Sequence, residues 1–305
     1  MFLYVSHPMC KEHDNGWGHP ESGERYSRIE DALLSARLLD YVLTRNARQA
    51  TDDDILRVHT RQFLEVLKRN IPSEGHVKLD DDTALSPKTL DAARYASGAV
   101  LEAIDAIMAG QAQRAFCNVR PPGHHAEVQS PMGFCIFNHV AIGAAYAFEK
   151  YGLQRIAILD IDVHHGNGTE SYIRHEPRVS LISNFESRLY PFTSEESDLD
   201  NMLKLPLPAN TDGEAWLEAW HQAWQFLQQA QPQLILISAG FDGHQMDPLA
   251  HWNLHEADYQ AWTQVLVQQA NQLCEGRIVS VLEGGYDLTA LGLSVTAHVK
   301  ALAEL

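Results

Sequence analysis

Short apolar runs alternate along this chain with longer stretches of helical periodicity, and this alternation constrains the fold more than any other feature. The runs predicted to form β-strands are Phe2–Ser6, Ala115–Val119, Arg155–Asp162, Val179–Ser183, Leu234–Ala239 and Ile278–Leu282. Short apolar strands separated by helices are typical of parallel pairing, in which helices cover both faces of a sheet. The sequence therefore predicts an α/β fold with a mostly parallel β-sheet and helices on both faces.

Helical periodicity fills the intervals between the predicted strands. The predicted helices are Tyr26–Tyr41, Arg61–Asn70, a long helix from Ser86-Pro87 to Gly110, Asn138–Lys150, Thr169–His175, Glu214–Gln229, Glu256–Cys274 and Leu288–Leu305. The polar stretch from His7 to Arg25 is predicted to be a functional loop. No linker, repeat or low-complexity tract interrupts the pattern, so residues 1–305 are predicted to form a single domain.

Charge and composition narrow the classes of function. The 305 residues are 45% hydrophobic and carry a formal net charge of −17, which argues against a nucleic-acid-binding surface. That charge is compatible with attracting cationic substrates, and equally with solubility alone. The apolar N-terminal run is too short for a signal peptide, and no window is long enough to span a membrane. The four dispersed cysteines are expected to be reduced, and the chain is predicted to be cytoplasmic, in an oligomeric state left open.

The stretch Ile158–Glu170, ILDIDVHHGNGTE, carries the strongest chemical signal. If it is a strand that breaks at its glycines, Asp160, Asp162 and His164 project to one side at its carboxyl end. Carboxylates beside an apolar strand need a partner, because burying unpaired charge is costly. A divalent metal would satisfy them, whereas a glycine-rich turn capped by aspartate is the alternative explanation.

Other predicted strands also end in groups that bind metals or move protons, and parallel strand ends meet at one rim. Asp162, His164 and Asp242 form a three-ligand set that leaves a coordination position open, as in catalytic zinc sites. Iron(II) or cobalt would also suit the carboxylates. A metal ion can lower the pKa of its water towards ~7 for attack on a carbonyl.

Further residues near these strand ends are suited to acid–base chemistry. His124 and His125 are candidates for the general base and acid, and Asp160 and Asn167 are candidates for orienting them. Tyr286, which follows Gly284-Gly285, can donate its phenol to a developing oxyanion. A packing tyrosine after a tight turn is the alternative for Tyr286.

The motifs RPPGHH, GFCIFN, LDIDVHHGNGT, SAGFDGH and LEGGYD resemble those of the zinc-dependent histone deacetylase family, within the arginase/deacetylase fold. They occur in the family's order and cover most of the chain. The resemblance implies one zinc ion on Asp162, His164 and Asp242. It also implies that His125 is the base, that His124 acts electrostatically, and that Tyr286 polarises the carbonyl. The compact length is similar to that of bacterial members.

The resemblance extends to substrate binding. Phe134, after Gly133, and Tyr190 would form the aromatic walls of an acyl-lysine tunnel, and Asp81 or Asp82 would hold the substrate backbone at the rim. The family more often has phenylalanine where Tyr190 stands, which implies a slightly more polar tunnel. The substrate-binding set implied in this way is Gly133, Phe134, Tyr190, Leu249 and Asp82.

Two further features follow from the resemblance. The main-chain carbonyls of Asp160, Asp162 and His164, with Ser183, would match a structural site for K⁺ or Na⁺. Asn167 stands where some members carry aspartate, and asparagine resembles the class II branch.

Three alternatives compete with an acyl-lysine deacetylase. A binuclear manganese hydrolase of the arginase kind would need a bridging carboxylate just after Asp162-Val163-His164, and none is there. An acetylpolyamine amidohydrolase would use the same chemistry on small acetylated amines; Leu249, at a position acidic in some polyamine-specific relatives, favours acyl-lysine. A non-catalytic binding protein is disfavoured because Tyr286 and the metal ligands are all present.

Overall fold

The computed structural model describes residues 1–305, and its main feature is an eight-stranded sheet in which every strand pair is parallel. The strands are β1 (Phe2–Ser6), β2 (Leu43–Asn46), β3 (Val77–Lys78), β4 (Ala84–Leu85), β5 (Arg114–Asn118), β6 (Ile156–Asp160), β7 (Val179–Glu186), β8 (Met202–Leu207), β9 (Leu234–Ala239) and β10 (Ile278–Leu282). The order in the sheet is β2-β1-β5-β10-β9-β6-β7-β8, and β3 and β4 form a separate antiparallel pair. The predicted parallel α/β fold is therefore confirmed.

Helices cover both faces of this sheet. They are α1 (Gly23–Ser35), α2 (Asp52–Ile55), α3 (Arg61–Asn70), α4 (Thr89–Met108), α5 (His139–Tyr151), α6 (Asn167–Ile173), α7 (Gly213–Ala230), α8 (Glu256–Leu273) and α9 (Leu288–Ala303). None of them combines the length and the hydropathy needed to cross a bilayer.

The alternation of side chains along the strands produces two hydrophobic cores. In β9, Leu234 and Leu236 join the core under α3, α4 and α5, whereas Ile235 and Ile237 join the core under α1, α7, α8 and α9. Each of these side chains is fully buried, and burying a leucine or isoleucine contributes roughly 1.5–3 kcal/mol. Because both faces are covered, five of the six residues of β9 are apolar and the sixth is the buried Ser238, which is why LILISA could be recognised from the sequence.

The predicted strand Arg155–Asp162 is too long, because β6 ends at Asp160. The Asp160 side chain accepts a hydrogen bond from the backbone N–H of Asp162 at 3.1 Å, and the Asp162 side chain accepts one from the N–H of His164 at 2.8 Å. These two local hydrogen bonds curl the chain away from the sheet. Asp162 and His164 therefore lie on a turn beyond the strand, and simple strand alternation was the wrong reason for grouping them.

The prediction also missed both edge strands, β2 and β8, and extended α1 too far. Strand β2 is mostly exposed and polar in sequence, so it lacks the apolar signature of the central strands. Helix α1 ends at Ser35 because Arg37 adopts a left-handed conformation with φ of 57° and a short 3₁₀ turn, Leu38–Asp40, follows. Apolar spacing alone continued through this break.

Candidate active site and metal centre

The loops that carry the chemical motifs follow the four central strands of the sheet. Strands β5, β10, β9 and β6 are consecutive neighbours, and they lead into RPPGHH, EGGY, GFDGH and IDVHH respectively. Because all four strands are parallel, these loops emerge at the same edge. Residues far apart in the chain are thereby brought into one buried site.

Asp162, His164 and Asp242 lie together at this edge and are all buried. Nδ1 of His164 is 3.0 Å from Oδ1 of Asp162 and 3.0 Å from Oδ2 of Asp242, and one ligand atom from each residue lies within 4.8 Å of the others. Two carboxylates and one imidazole facing a common point can hold a divalent metal ion.

The chain packs closely around these carboxylates. The backbone N–H of Gly284 donates to Oδ2 of Asp162 at 2.9 Å, and that of Val163 donates to Oδ1 of Asp242 at 3.0 Å. A Cβ atom on Gly284 would lie 2.1 Å from Oδ2 of Asp242, so glycine is required there for this approach. The EGGY motif therefore helps to orient Asp162 and leaves room for Asp242 beside it.

The electrostatics of the site also suit a bound cation. Burial would lower the pKa of His164, but the carboxylates of Asp162 and Asp242 outweigh it and raise that pKa to about 10. Burial and the neighbouring Asp162 raise the pKa of Asp242. Burial also raises the pKa of Asp160 to about 6, despite the opposing effect of His124. So many buried carboxylates need positive charge, and a divalent ion would supply it.

The tandem histidines have different partners. Nδ1 of His124 is 3.0 Å from Oδ2 of Asp160, whereas Nδ1 of His125 is 2.8 Å from Oδ1 of Asn167. Burial opposes protonation of His124, but Asp160 and Asp162 raise its pKa well above the usual value. Burial, followed by the positive charges of His124 and His164, lowers the pKa of His125. One histidine is therefore held charged and the other neutral.

Tyr286 and the substrate-binding residues predicted from the sequence line one cavity of about 220 Å³. Its lining is Asp82, His125, Gly133, Phe134, His164, Leu189, Tyr190, Phe192, Leu249 and Tyr286. Leu189 and Phe192 were not predicted to be part of it. Asp82, rather than Asp81, is the carboxylate on this lining.

Aromatic rings line the cavity in two edge-on pairs. Phe134 meets Tyr286 edge-on with ring centroids 5.8 Å apart, whereas Tyr190 lies 5.2 Å from the ring of His125. Gly133 has a φ of +56°, and a Cβ atom on it would lie 2.4 Å from His125, which only glycine avoids. The result is a largely apolar cavity whose lining also includes the imidazoles of His125 and His164 and the phenol of Tyr286.

Sequence reasoning missed a buried ionic cluster behind Tyr286. Glu21 and Arg120 are ion-paired, and Nη1 of Arg25 is 3.1 Å from Oε1 of Glu21. Nε of Arg25 donates to the carbonyl of Gly285 at 2.7 Å, and the guanidinium lies 5.0 Å from the Tyr286 ring centroid. The i,i+4 spacing of Glu21 and Arg25 was visible, but their complete burial was not.

Glu283 was also missed, although it opens the recognised EGGY motif. Its Oε2 accepts hydrogen bonds from the backbone N–H groups of Gly123 at 2.6 Å and His124 at 3.1 Å. Burial raises the pKa of this carboxyl to about 7. Glu283 thereby ties the loop that carries the tandem histidines to the end of β10.

The proposed monovalent-cation residues occupy one place in the sheet. Ser183 on β7 is paired in register with Asp160 on β6 and is fully buried. Its hydroxyl lies 2.8 Å from Nδ1 of His165. Binding of K⁺ or Na⁺ by this serine and the nearby main-chain carbonyls remains a prediction.

A second group, His244, His255 and Glu256, also lies within 4.8 Å but is less suited to a metal. Nδ1 of His244 accepts a hydrogen bond from the N–H of Met246 at 3.2 Å, so in the neutral ring the proton lies on Nε2, facing Glu256 at 3.5 Å. A protonated nitrogen has no lone pair for a metal ion.

Comparison with known proteins agrees with the geometry. A family model described as the histone deacetylase domain matches residues 19–302. The histone deacetylase-like amidohydrolase of Pseudomonas aeruginosa is 35% identical over 277 residues, which cover 88% of this chain and 73% of that protein. A probable deacetylase of Archaeoglobus fulgidus is 32% identical over 293 residues, covering 93% and 81%. The crystal structure of the HDA15 HD domain matches with a TM-score of 0.90 at 29% identity, covering 99% of this chain and 89% of that one.

Proposed function

Because the chain belongs to the histone deacetylase family, we propose that it is a zinc-dependent amidohydrolase that removes acetyl or other acyl groups from acyl-lysine side chains. The observation that carries this proposal is the position of Asp162, His164 and Asp242 beside an apolar cavity that also holds His125 and Tyr286. That arrangement can admit an aliphatic side chain and bring its amide to the inner end.

Each residue has a definite task in the proposed reaction. A zinc ion held by Asp162, His164 and Asp242 would supply Lewis acidity, lowering the pKa of a water molecule towards ~7. His125, kept neutral by burial and by the charges beside it, takes the proton of the attacking water at Nε2 and passes it to the leaving amine. His124, kept charged by Asp160, stabilises negative charge nearby.

Tyr286 donates the hydrogen bond to the oxygen of the amide as negative charge develops on it. Burial raises the pKa of its phenol well above the usual value, so the proton remains on the oxygen at neutral pH. Phe134 and Tyr190 enclose the aliphatic part of the acyl-lysine and exclude water from it.

An acetylpolyamine amidohydrolase is the second candidate. Asp82 places a carboxylate on the cavity lining, where it would pair with the distant ammonium of a small acetylated amine. Leu249 on the same lining offers no charge and favours acyl-lysine.

The two candidates are separated by comparing kcat/KM for an acetyl-lysine peptide and for N-acetylputrescine with the zinc-loaded protein. We expect the peptide to be the better substrate. Preference for the small amine would favour the second candidate, and hydrolysis of neither by a correctly folded, zinc-loaded protein would contradict both. One tightly bound metal ion per chain is expected, and two would contradict the single-metal assignment.

A further inference from the structure

A hydrogen-bonded chain leads away from His125 to a carboxylate outside the motifs used above. Nδ1 of His125 lies 2.8 Å from Oδ1 of Asn167, and Nδ2 of Asn167 donates to Oε1 of Glu127 at 3.0 Å. His125 and Asn167 are buried, whereas Glu127 is half-buried. The chain therefore connects the inner site with a group nearer the surface.

The surroundings of Asn167 admit only one orientation of its amide. Its Nδ2 faces the carboxylate of Glu127, the sulfur of Met132 at 3.1 Å and the main-chain oxygen of His125 at 3.5 Å. All three are acceptors, so a rotated amide would turn its own oxygen towards them. Of these three acceptors, only the carboxylate of Glu127 is charged. Hydrogen bonds to charged groups are stronger, so Glu127 contributes most to fixing the orientation of the Asn167 amide.

The orientation of Asn167 decides which nitrogen of His125 carries the proton. With Oδ1 of Asn167 facing Nδ1 at 2.8 Å, the neutral imidazole must keep its proton on Nδ1. Its Nε2 then has a free lone pair. A rotated amide would instead donate an N–H to Nδ1, and the proton of the neutral imidazole would then lie on Nε2. Nε2 could not act as the base in that form, because it would already carry a proton.

The carboxylate of Glu127 is free to accept the hydrogen bond from Asn167, because the basic side chains nearby form ion pairs with other acidic residues. It lines a second cavity, about 610 Å³ in volume and bounded by no hydrophobic residue. The basic groups on that wall, Arg174 and Lys204, are paired with Glu170. The carboxylate of Glu127 is instead held by Ser130 Oγ at 3.4 Å and by Asn167.

We propose that Glu127 is a positioning residue for His125, because its carboxylate holds the Asn167 amide in the orientation that keeps Nε2 of His125 free to act as the base. This inference rests on the proposed function for its kinetic consequences. A carboxylate bonded directly to His125 would place its negative charge next to the imidazole. Here Asn167 lies between them, so the charge of Glu127 is one hydrogen bond further away.

The first test compares Glu127→Ala with Glu196→Ala, a matched control whose side chain lines the same cavity. Loss of the charged acceptor should lower kcat about tenfold with KM changed less than about twofold, as for other groups that orient a catalytic residue. The control should keep the kcat of the wild type. A Glu127→Ala protein with full kcat would overturn the proposal.

Exchanging the carboxylate and the amide between positions 127 and 167 provides a test that a merely structural role would fail. Asn167→Asp should lower kcat because two carboxylates then face each other at 3.0 Å. In Glu127→Gln/Asn167→Asp, the new amide can donate to the new carboxylate, which still accepts from His125. We expect kcat to recover to within about threefold of the wild type; a double variant no faster than Asn167→Asp alone would count against the proposal.

A readout independent of activity keeps this proposal separate from the proposed function. In the zinc-loaded protein with ¹⁵N-labelled histidine, the His125 signal, assigned by its loss in His125→Ala, should show the Nδ1–H tautomer. Glu127→Ala should give a mixture of tautomers, and an unchanged signal would refute the positioning role. If the wild type hydrolyses no acylated substrate, the proposed function fails while this measurement still decides the role of Glu127.

Discussion

Tyr286 shows how the reactivity of one side chain depends on residues that are distant in sequence. Its backbone N–H donates to the carboxylate of Asp247 at 2.7 Å, and the guanidinium of Arg25 lies 5.0 Å from its ring centroid. These contacts hold the backbone and ring of Tyr286, whose side chain lines the cavity. Since burial keeps the phenol protonated at neutral pH, it is a hydrogen-bond donor rather than a base.

Replacing Tyr286 with phenylalanine should remove this donor and leave the metal ligands intact. We expect a loss of about 3 kcal/mol of transition-state stabilisation, which is roughly 100-fold and mostly in kcat. Steady-state kinetics and the zinc content of the purified protein measure the two effects. Tyr190→Phe is the matched control, with a smaller effect expected, and full activity in Tyr286→Phe would disprove the oxyanion role.

Removing one candidate ligand tests the metal centre directly. Asp242→Ala should abolish tight zinc binding, because it leaves only Asp162 and His164. Elemental analysis after dialysis should find about one zinc ion per wild-type chain and almost none in the variant. Asp242→Asn keeps an acceptor for the N–H of Val163, so comparing the thermal stabilities of the two variants separates loss of metal from loss of folding. Retention of zinc by both variants would eliminate Asp242 as a ligand.

At the scale of elements, His298 joins two helices and a strand. His298 is on α9. Its Nδ1 lies 2.7 Å from Oγ1 of Thr263 on α8, and its Nε2 lies 2.8 Å from Oγ of Ser280 on β10. Thr263 donates its own proton to the carbonyl of Tyr259, so it accepts from Nδ1. The imidazole is thus satisfied while neutral, and burial lowers its pKa to about 3.

This burial makes stability depend on pH in a definite direction. The pKa of His298 is lower in the folded state than the usual 6.5, so its contribution is present above pH 6.5 and is lost as the pH falls towards 3. His298→Gln cannot titrate. Between pH 6.5 and 5, the wild type should lose about 1.7 kcal/mol of free energy of unfolding relative to His298→Gln, with a slope that approaches about 1.4 kcal/mol per pH unit. Denaturant unfolding of both proteins at several pH values measures this difference, and a pH-independent difference would contradict it.

At the scale of the whole molecule, the buried cluster of Glu21, Arg25 and Arg120 connects segments from both ends of the chain. Burial raises the pKa of Glu21, but Arg120, His13 and Arg25 outweigh burial and lower it to about 2. Arg25 also donates to the carbonyl of Gly285. Residues 7–25, which contain a short 3₁₀ helix at Pro8–Glu12 and the start of α1, thus pack behind Tyr286 through Arg25. A function for this stretch remains a prediction.

Breaking this cluster should destabilise the protein as a whole. Glu21→Gln would leave two guanidinium groups buried without a carboxylate, which typically costs about 3–5 kcal/mol. Thermal and denaturant unfolding should show this loss. Glu12→Gln, an exposed change in the same loop, should alter stability by less than about 0.5 kcal/mol. Equal stabilities for the two variants would show that the buried charges are not needed for the fold.

The sequence by itself determined the features that depend on local pattern and composition. Predominantly apolar strands such as Leu234–Ala239 can be recognised without a structure. So can the Asp-x-His and Gly-Gly motifs at strand ends. Helix starts are local as well: Asn138 accepts a hydrogen bond from the N–H of Ala141 at 3.0 Å to begin α5. These signals were sufficient for the parallel α/β fold and for grouping Asp162, His164 and Asp242, which are separated by up to 80 residues.

Only the tertiary structure decided which buried charges meet and how the chain bends between motifs. The turn that carries Asp162 and His164 off β6 is held by local hydrogen bonds, but alternation along the strand did not reveal it. The pairing of Glu21 with Arg120 and the contact of Glu127 with Asn167 each depend on packing between separate segments. Nothing in residue type distinguishes Glu127 from the exposed Glu196. The reason is that the energy of a charged group depends on its burial and partners, which exist only once the chain has folded.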